Sequence, residues 1–461
     1  MLTRRSLLGS TAVLGGAAAL AAGCSAFGNP LAMPSAPQAT EINLVASKTY
    51  AYLSPPLDGG SNFESSEEKY QRAAAALEKD RENPYGPARG RYRLAVRFFN
   101  DIFPFIDGNP KTQEELEAAR NRGLKAVAGI LRNLEADIVT VRPEEARRWG
   151  RDGLLLSLNH FSGTEQADLE QEFFPSMLNP YREEDALYAL PIGAAPLMLF
   201  YDEAFIAKQG VSPPDLSWDW NDLAENAVKL TTRQADGTVA RWGLVAHGVR
   251  IFWALWQNGA SMVDIETLQC RLPEPAAVQA LQFVHDLMHK HQVSPVVTPW
   301  DLWHYTRQNP PALLYDSPPL RANQSNRFRM APLPRGKVYT AQVSTAVGIG
   351  IAARTQHAEA AYMALRGYTR TMQAQVAVPA SREALARLAD TRKDLLPSEV
   401  AAVQHAMEHG REWPRWGLPY VVAENVMDNL VRGDDVATVV SKACHIVNYF
   451  RETGRMPNPA E

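Results

Sequence analysis

The sequence predicts an α/β protein built on parallel sheets, and three observations carry that expectation. Strand and helix patterns alternate along the chain from residue 41, the order that lays parallel strands side by side beneath crossover helices. The chain has 461 residues, 46% of them hydrophobic, which is enough apolar material for more than one core. Beyond the N-terminus no apolar run reaches the roughly 20 residues that a membrane span requires, so the body reads as globular.

Charge and cysteine usage remove several function classes. Lys and Arg number 47 against 51 Asp and Glu, a net charge of −4, and no basic block stands out, so nucleic acid is not an expected partner. Three cysteines, Cys24, Cys270 and Cys444, are too few for a disulfide scaffold, a four-thiolate zinc site or an iron–sulfur cluster.

The N-terminus carries an address. Met1 to Arg5 is short and basic, Leu7 to Gly23 is apolar and rich in Ala and Gly, and Cys24 follows at once, the layout of a secretory signal. Leu20-Ala21-Ala22-Gly23-Cys24 resembles a bacterial lipobox, with Ala21 where Leu is commoner, which implies cleavage after Gly23 and lipidation of Cys24. Thr3-Arg4-Arg5-Ser6-Leu7-Leu8 resembles a twin-arginine export signal, with a Sec signal as the alternative. Residues 1–23 are therefore expected as a signal peptide. Residues 24–40, with Pro30, Pro34 and Pro37, are expected as a tether holding a lipid-anchored body at the extracytoplasmic face of a bacterial membrane. Whether Cys270 and Cys444 pair in that oxidising space is left open by the sequence.

Glu41 to Ala46 alternates, with Ile42, Leu44 and Ala46 on one side, and Arg93 to Phe99 alternates through Leu94, Val96 and Phe98, so both read as strands. The segment between them, Ala51 to Arg91, is long. Within it Ser65-Ser66-Glu67-Glu68 has the capping-box pattern, and Tyr70, Ala74 and Leu77 follow at helical spacing. A second capping box, Thr112-Gln113-Glu114-Glu115, opens a predicted helix to Leu134 with Leu116, Leu124, Val127 and Leu131 facing a core; Ile138 to Val141 is the next strand. Farther on, Leu197 to Tyr201 reads as a strand, Pro213-Pro214 as a turn and Trp218 to Leu230 as a helix. Pro275 to Lys290 is amphipathic through Val278, Leu281, Val284 and Met288. Ala312 to Tyr315 and Thr345 to Ala353 read as strands, and Ala358 to Thr371 and Asp435 to Phe450 as helices.

The order of short motifs is more telling than any one of them. Tyr188-Ala189-Leu190-Pro191, Leu199-Phe200-Tyr201-Asp202 and Pro213-Pro214 with Ser217-Trp218 come first, then Gln257-Asn258-Gly259-Ala260 and Pro273 to Leu287. Ala312 to Pro318, Ala331-Pro332-Leu333-Pro334 and Gln373 to Pro379 complete the series. In this order they resemble extracellular solute-binding proteins of the carbohydrate-type, maltose-binding-protein-like group. The resemblance implies a two-lobed, periplasmic-binding-protein-like α/β fold of type II, its lobes joined by three hinge crossings near Gly193, Leu333 and Pro379. One lobe would hold residues 41–192 and 335–376, the other 194–332 and 380–461. It also implies the solute-binding lipoprotein of an ABC importer, a monomer without cofactor or catalysis of its own. Such a protein captures a sugar or oligosaccharide between the lobes and delivers it to permease and ATPase subunits. The chain departs from the family in its long segment 51–91, in Asp202 for the usual Asn, in Ala260 for a second Gly, and in Pro318-Pro319 where an aromatic is common.

Sugars present flat C–H faces and rings of hydroxyls, so their sites combine aromatic platforms with carboxylate, amide and Arg groups. Tyr50 after the first strand, Arg142 and Glu144 after the third, and Trp413 and Trp416 in the loop before the last helices are the candidates. Family position adds Tyr188, His247 and Arg250 ahead of the helix holding Trp253 and Trp256, and Asp316 after its strand. Trp253 and Trp256, one turn apart on an apolar helix, read as core, Trp218 and Trp220 as structural, and Trp300 and Trp303 as either.

No metal is expected. His285 and His289 stand at i and i+4, but Asp286 replaces the Glu of a zincin helix and no third ligand is evident; His405 and His409 read the same way. Gly348-Ile349-Gly350 mimics a dinucleotide fingerprint inside a strand, and no nucleophile elbow or Walker A loop occurs. The rival readings are an exported glycosidase or lyase using two carboxylates, and the same binding fold serving a polyol phosphate or a polyamine.

Overall fold

The computed structural model describes residues 39–47, 66–99, 125–161, 165–245, 251–264, 266–297, 305–306, 308–316, 328–345, 347–412 and 418–456. The signal, Cys24, most of the tether, the capping box at Thr112, Tyr50, His247, Arg250, Trp300, Trp303, Pro318-Pro319, Trp413 and Trp416 lie outside those residues. In chain order the framing elements are β1 (Thr40–Ser47), α1 (Ser66–Lys79), β2 (Tyr92–Phe99), β3 (Ile138–Val141), α2 (Pro143–Arg151), β4 (Leu155–Leu156), β5 (Leu190–Pro191), β6 (Ala194–Pro196) and β7 (Met198–Asp202). Then come α3 (Trp220–Leu230), β8 (Leu244–Val245), α4 (Phe252–Gln257), α5 (Pro275–His289), β9 (Leu313–Asp316), β10 (Phe328–Ala331) and β11 (Ala341–Thr345). The chain closes with β12 (Gly348–Ala352), α6 (Ala358–Gln373), α7 (Pro397–Glu408), β13 (Gly410–Glu412), α8 (Leu418–Arg432) and α9 (Val436–Thr453).

The first sheet has the order β2-β1-β3-β12-β4, with β5 also on β12. β1 pairs in parallel with β2 and β3, but β12 runs antiparallel to β3, so the sheet is mixed where alternation predicts a parallel one. The reason is the route of the chain: β12 enters from β11, at the edge where β3 ends, and must run back. Ile42 to Ser47 are all buried, against the one-sided pattern read from the sequence, because β1 is central and covered on both faces. Thr345 to Ala353 divides into two strands of different sheets. Gly348 sits where a Cβ would come within 2.6 Å of the Tyr181 ring, so this glycine serves close packing inside a strand.

The described part of the long segment is strapped to α6. Tyr368 Oη donates to the Tyr70 carbonyl at 3.0 Å and Asn83 Nδ2 to the Gly367 carbonyl at 3.1 Å. A Cβ on Gly367 would stand 2.8 Å from the Tyr85 carbonyl oxygen, which is why the helix has a glycine there.

The second sheet, β8-β9-β7-β10, is buried on both faces, and its period-2 pattern divides cleanly between two cores. Val245, Leu314, Met198, Phe200 and Met330 join the first core, where Val400, Val403 and Met407 of α7 also lie. Leu244, Leu313, Leu199, Tyr201 and Ala331 face the second, which α3, α4, α5, α8 and α9 fill. Buried Glu399 of α7 accepts the Met330 backbone N–H at 2.9 Å and fixes that helix to β10.

Asp202 explains its own departure from the family's Asn. Its carboxylate caps the helix Glu203–Lys208, accepting from Phe205 N at 3.1 Å, and pairs with Arg241 at 2.7 Å. Arg241 in turn donates to the Pro311 carbonyl at 2.9 Å and stacks over the Phe205 ring at 3.8 Å. Cys270 and Cys444 form a disulfide, with Cα atoms 5.3 Å apart, that joins a short strand at Gln269–Cys270 to α9. Among the described residues no helix is long and apolar enough to cross a membrane.

A third sheet, β13-β11-β6, lies where the chain passes between the other two. β6 leads from β5 of the first sheet to β7 of the second, and β11 returns from β10 to β12. A third passage follows α6, where Pro379 bridges to Gly193 and the Val378 carbonyl accepts from Ala194 N at 2.8 Å.

Candidate functional site

Parallel pairing fixes where the chain leaves each sheet. β1, β2 and β3 release it at Ser47, Phe99 and Val141 on one edge, β8 and β9 at Val245 and Asp316, and β11 and β13 at Thr345 and Glu412. Gly348 lies opposite Val141 and follows Thr345 by three residues, at most about 11 Å of chain. Asp316 lies opposite Met198, two residues beyond Pro196, which lies opposite Val343. The carboxyl edges of all three sheets thus gather around β11, and ligands of open α/β sheets bind beyond such edges.

The third sheet turns one polar face to this place. Ala341 and Val343 point into the first core, so Gln342 and Ser344 point the other way, and the register sets Gln342 beside Arg411 and Ser344 beside Ala195. Gln342 is 3% exposed and its side-chain oxygen is buried without a hydrogen-bond partner among the described residues. The Arg411 guanidinium carbon stands 4.7 Å from the centroid of the Trp256 ring. Burial pulls this guanidinium below arginine's ordinary pKa.

Local chemistry holds Trp256 in place. Gln257, fully buried at the end of α4, donates from Nε2 to the Thr340 carbonyl at 2.9 Å, and its Oε1 accepts from Trp220 Nε1 at 2.8 Å. Trp253 is fully buried, packed edge-on to Tyr315 at 4.9 Å and to Trp220 at 5.7 Å, and is a core residue. The two tryptophans share one helix, and only tertiary packing separates their roles.

Of the described candidates read from the sequence, Arg142, Glu144 and Asp316 follow or close strands that end at these edges, and Tyr188 does not lie with them. Arg142 and Glu144 come together at the start of α2. Arg142 Nε lies 3.3 Å from Glu144 and Nη2 2.8 Å from buried Glu145, whose carboxylate also accepts the Arg142 backbone N–H at 2.9 Å. Tyr188 lies at the other end of α2, where a Cβ on Gly150 would come within 2.5 Å of its ring. Asp316, 9% exposed, closes β9. Tyr50, His247, Arg250, Trp413 and Trp416 fall outside the described residues, but each follows a strand that ends at the gathered edges: β1, β8 and β13. Sequence reasoning missed Gln342 and Arg411. The signal for the first was the alternation Ala341-Gln342-Val343-Ser344; for the second there was none, because β13 meets β11 from 69 positions away, as in the pairing of Gln342 with Arg411.

The family model for bacterial extracellular solute-binding proteins matches residues 124–365. Among solved structures, the sugar-binding protein MalE from Xanthomonas citri superposes with a TM-score of 0.64 at 14% identity, covering 90% of this chain and 98% of that one. An ABC substrate-binding protein from Listeria monocytogenes in complex with cycloalternan gives 0.62 at 15% identity, covering 90% and 99%. UgpB from Mycobacterium tuberculosis in complex with glycerophosphocholine gives 0.61 at 18% identity, covering 84% and 98%. At these identities the likeness is one of fold, an α/β architecture of two lobes.

Proposed function

The chain belongs to the bacterial extracellular solute-binding proteins, and from that premise we propose that it is the ligand-capturing subunit of an ABC importer. It takes one sugar or oligosaccharide at the gathered strand edges and delivers it unchanged to a membrane permease, with ATP hydrolysis on other chains. It acts as a monomer, exported and held at the membrane through lipidated Cys24. Residues 41–192 with 335–376 and residues 194–332 with 380–461 are the two bodies that close on the ligand.

The observation that carries this reading is the polar face of Gln342, Ser344 and Arg411 against Trp256. A buried amide and an exposed guanidinium beside an indole are what a ring of hydroxyls with an apolar face needs. Asp316, with Tyr50, His247, Arg250, Trp413 and Trp416 just beyond the strand ends, completes the lining, and Arg142 and Glu144 contribute from the first sheet. A second reading, a polyol phosphate, is favoured by Arg411 alone: a phosphate would compensate a guanidinium whose charge burial disfavours.

The test is a thermal-shift panel on the form beginning at Ser25, with mono- and oligosaccharides, polyol phosphates and polyamines, each ligand then recovered and chromatographed. At 100 times Kd a binder gains about 2.7 kcal/mol. Stabilisation by one carbohydrate class with intact ligand supports the importer reading, and a response to phosphates alone selects the second. Conversion to product contradicts both.

A further inference from the structure

We propose that His405, Glu408 and His409 form a binding site for a divalent transition-metal ion of the zinc class, at the point where α7 hands the chain to β13. The spacing i, i+3, i+4 places all three on one helix face. One ligand atom from each lies within 4.8 Å of the others, and the two imidazole centroids are 4.2 Å apart. Tetrahedral ligands on zinc lie roughly 3.4 Å from one another, so small rotations about the side-chain bonds close the set.

The rings are already oriented for this. His409 Nδ1–H donates to the His405 carbonyl at 3.0 Å, which fixes the tautomer and leaves Nε2 with its lone pair available. A backbone carbonyl on the other ring nitrogen is the usual outer-shell partner of a metal-bound histidine. The Tyr339 ring packs against both imidazoles, at 4.2 and 5.5 Å, and limits their rotation. Two imidazoles and a carboxylate select zinc, nickel, cobalt or copper over calcium and magnesium, which take oxygen ligands, and water completes the coordination.

The other histidine pair shows what such a site lacks when histidines serve packing. His285 and His289 have centroids 4.6 Å apart, but His289 Nε2 donates to the Leu430 carbonyl at 2.7 Å and ties α5 to α8. Their neighbour Asp286 is engaged by Gln282 and Lys290. The sequence treats both pairs alike; the third ligand separates them, since the carboxylate beside the α5 pair is already engaged while Glu408 lies with both α7 imidazoles. A metal on α7 would clamp the helix's last turn, where Thr340 Oγ1 already donates to the His409 carbonyl at 3.1 Å, two residues before Arg411. This inference does not depend on which solute the protein carries.

The experiment titrates the untagged chain with Zn²⁺ against a chromogenic chelator and records the visible absorption of the Co²⁺ form. The expected result is one saturable equivalent, a tetrahedral Co²⁺ spectrum and a rise in Tm with Zn²⁺. His405→Ala and His409→Ala should each weaken binding at least about tenfold, a loss expected for a metal ligand given that even outer-shell partners are worth 10–100-fold. Glu408→Gln should weaken it by a smaller factor, and His289→Ala should leave it unchanged. Absence of saturable binding, indifference to both α7 histidine variants, or loss on His289→Ala would each overturn the proposal.

Discussion

At the scale of single residues, burial decides what each polar group must do. The Asp202 side chain is 2% exposed and is held by Arg241. Arg241→Met removes the guanidinium that compensates this buried carboxylate, and a loss of about 3–5 kcal/mol should appear as a lower urea midpoint. Adding Asp202→Asn, which keeps the helix cap without the charge, should recover most of it. Tyr315 is the converse case: its ring packs against Trp253, yet its hydroxyl is buried without a hydrogen-bond partner among the described residues, and burial drives its pKa far up. Removing an unsatisfied hydroxyl relieves a desolvation penalty. Tyr315→Phe is therefore expected to leave stability unchanged or raise it by up to about 1 kcal/mol in the same assay.

At the scale of elements, the sequence is legible where a local pattern decides the outcome. The helices α1, α5 and α9 all form where the spacing predicts them, and Asp435 caps the last of them. It is opaque where partners come from far along the chain. Nothing local to Arg411 announces a strand beside Gln342, and nothing local to Cys270 announces Cys444, 174 residues away. Apolar Gly348 to Ala352 reads correctly as a strand, but its direction depends on the crossing strand before it. The disulfide joins two elements of the second core, so its reduction should cost about 2–4 kcal/mol and lower Tm in a calorimetric scan with and without reductant. An equal loss in the Cys270→Ser variant, with no further effect of reductant, would assign the change to this bond.

At the scale of the whole molecule, order along the chain carries most of the information. No single motif identifies the fold, yet their succession anticipates two sheets with repeated passages between them, and the structure supplies that arrangement. The candidate site is only half legible for the same reason: loops after strands can be named from the sequence, whereas the polar face of β11 exists only once three sheets meet. In the proposed function the two halves move about these passages. A ligand closes them only by binding the closed arrangement more tightly than the open one. The most direct measurement is small-angle X-ray scattering of the protein with and without a carbohydrate that raises its Tm. The account predicts a smaller radius of gyration at saturation, reversed when the sugar is dialysed away intact. An unchanged radius with a saturating carbohydrate would contradict capture by closure.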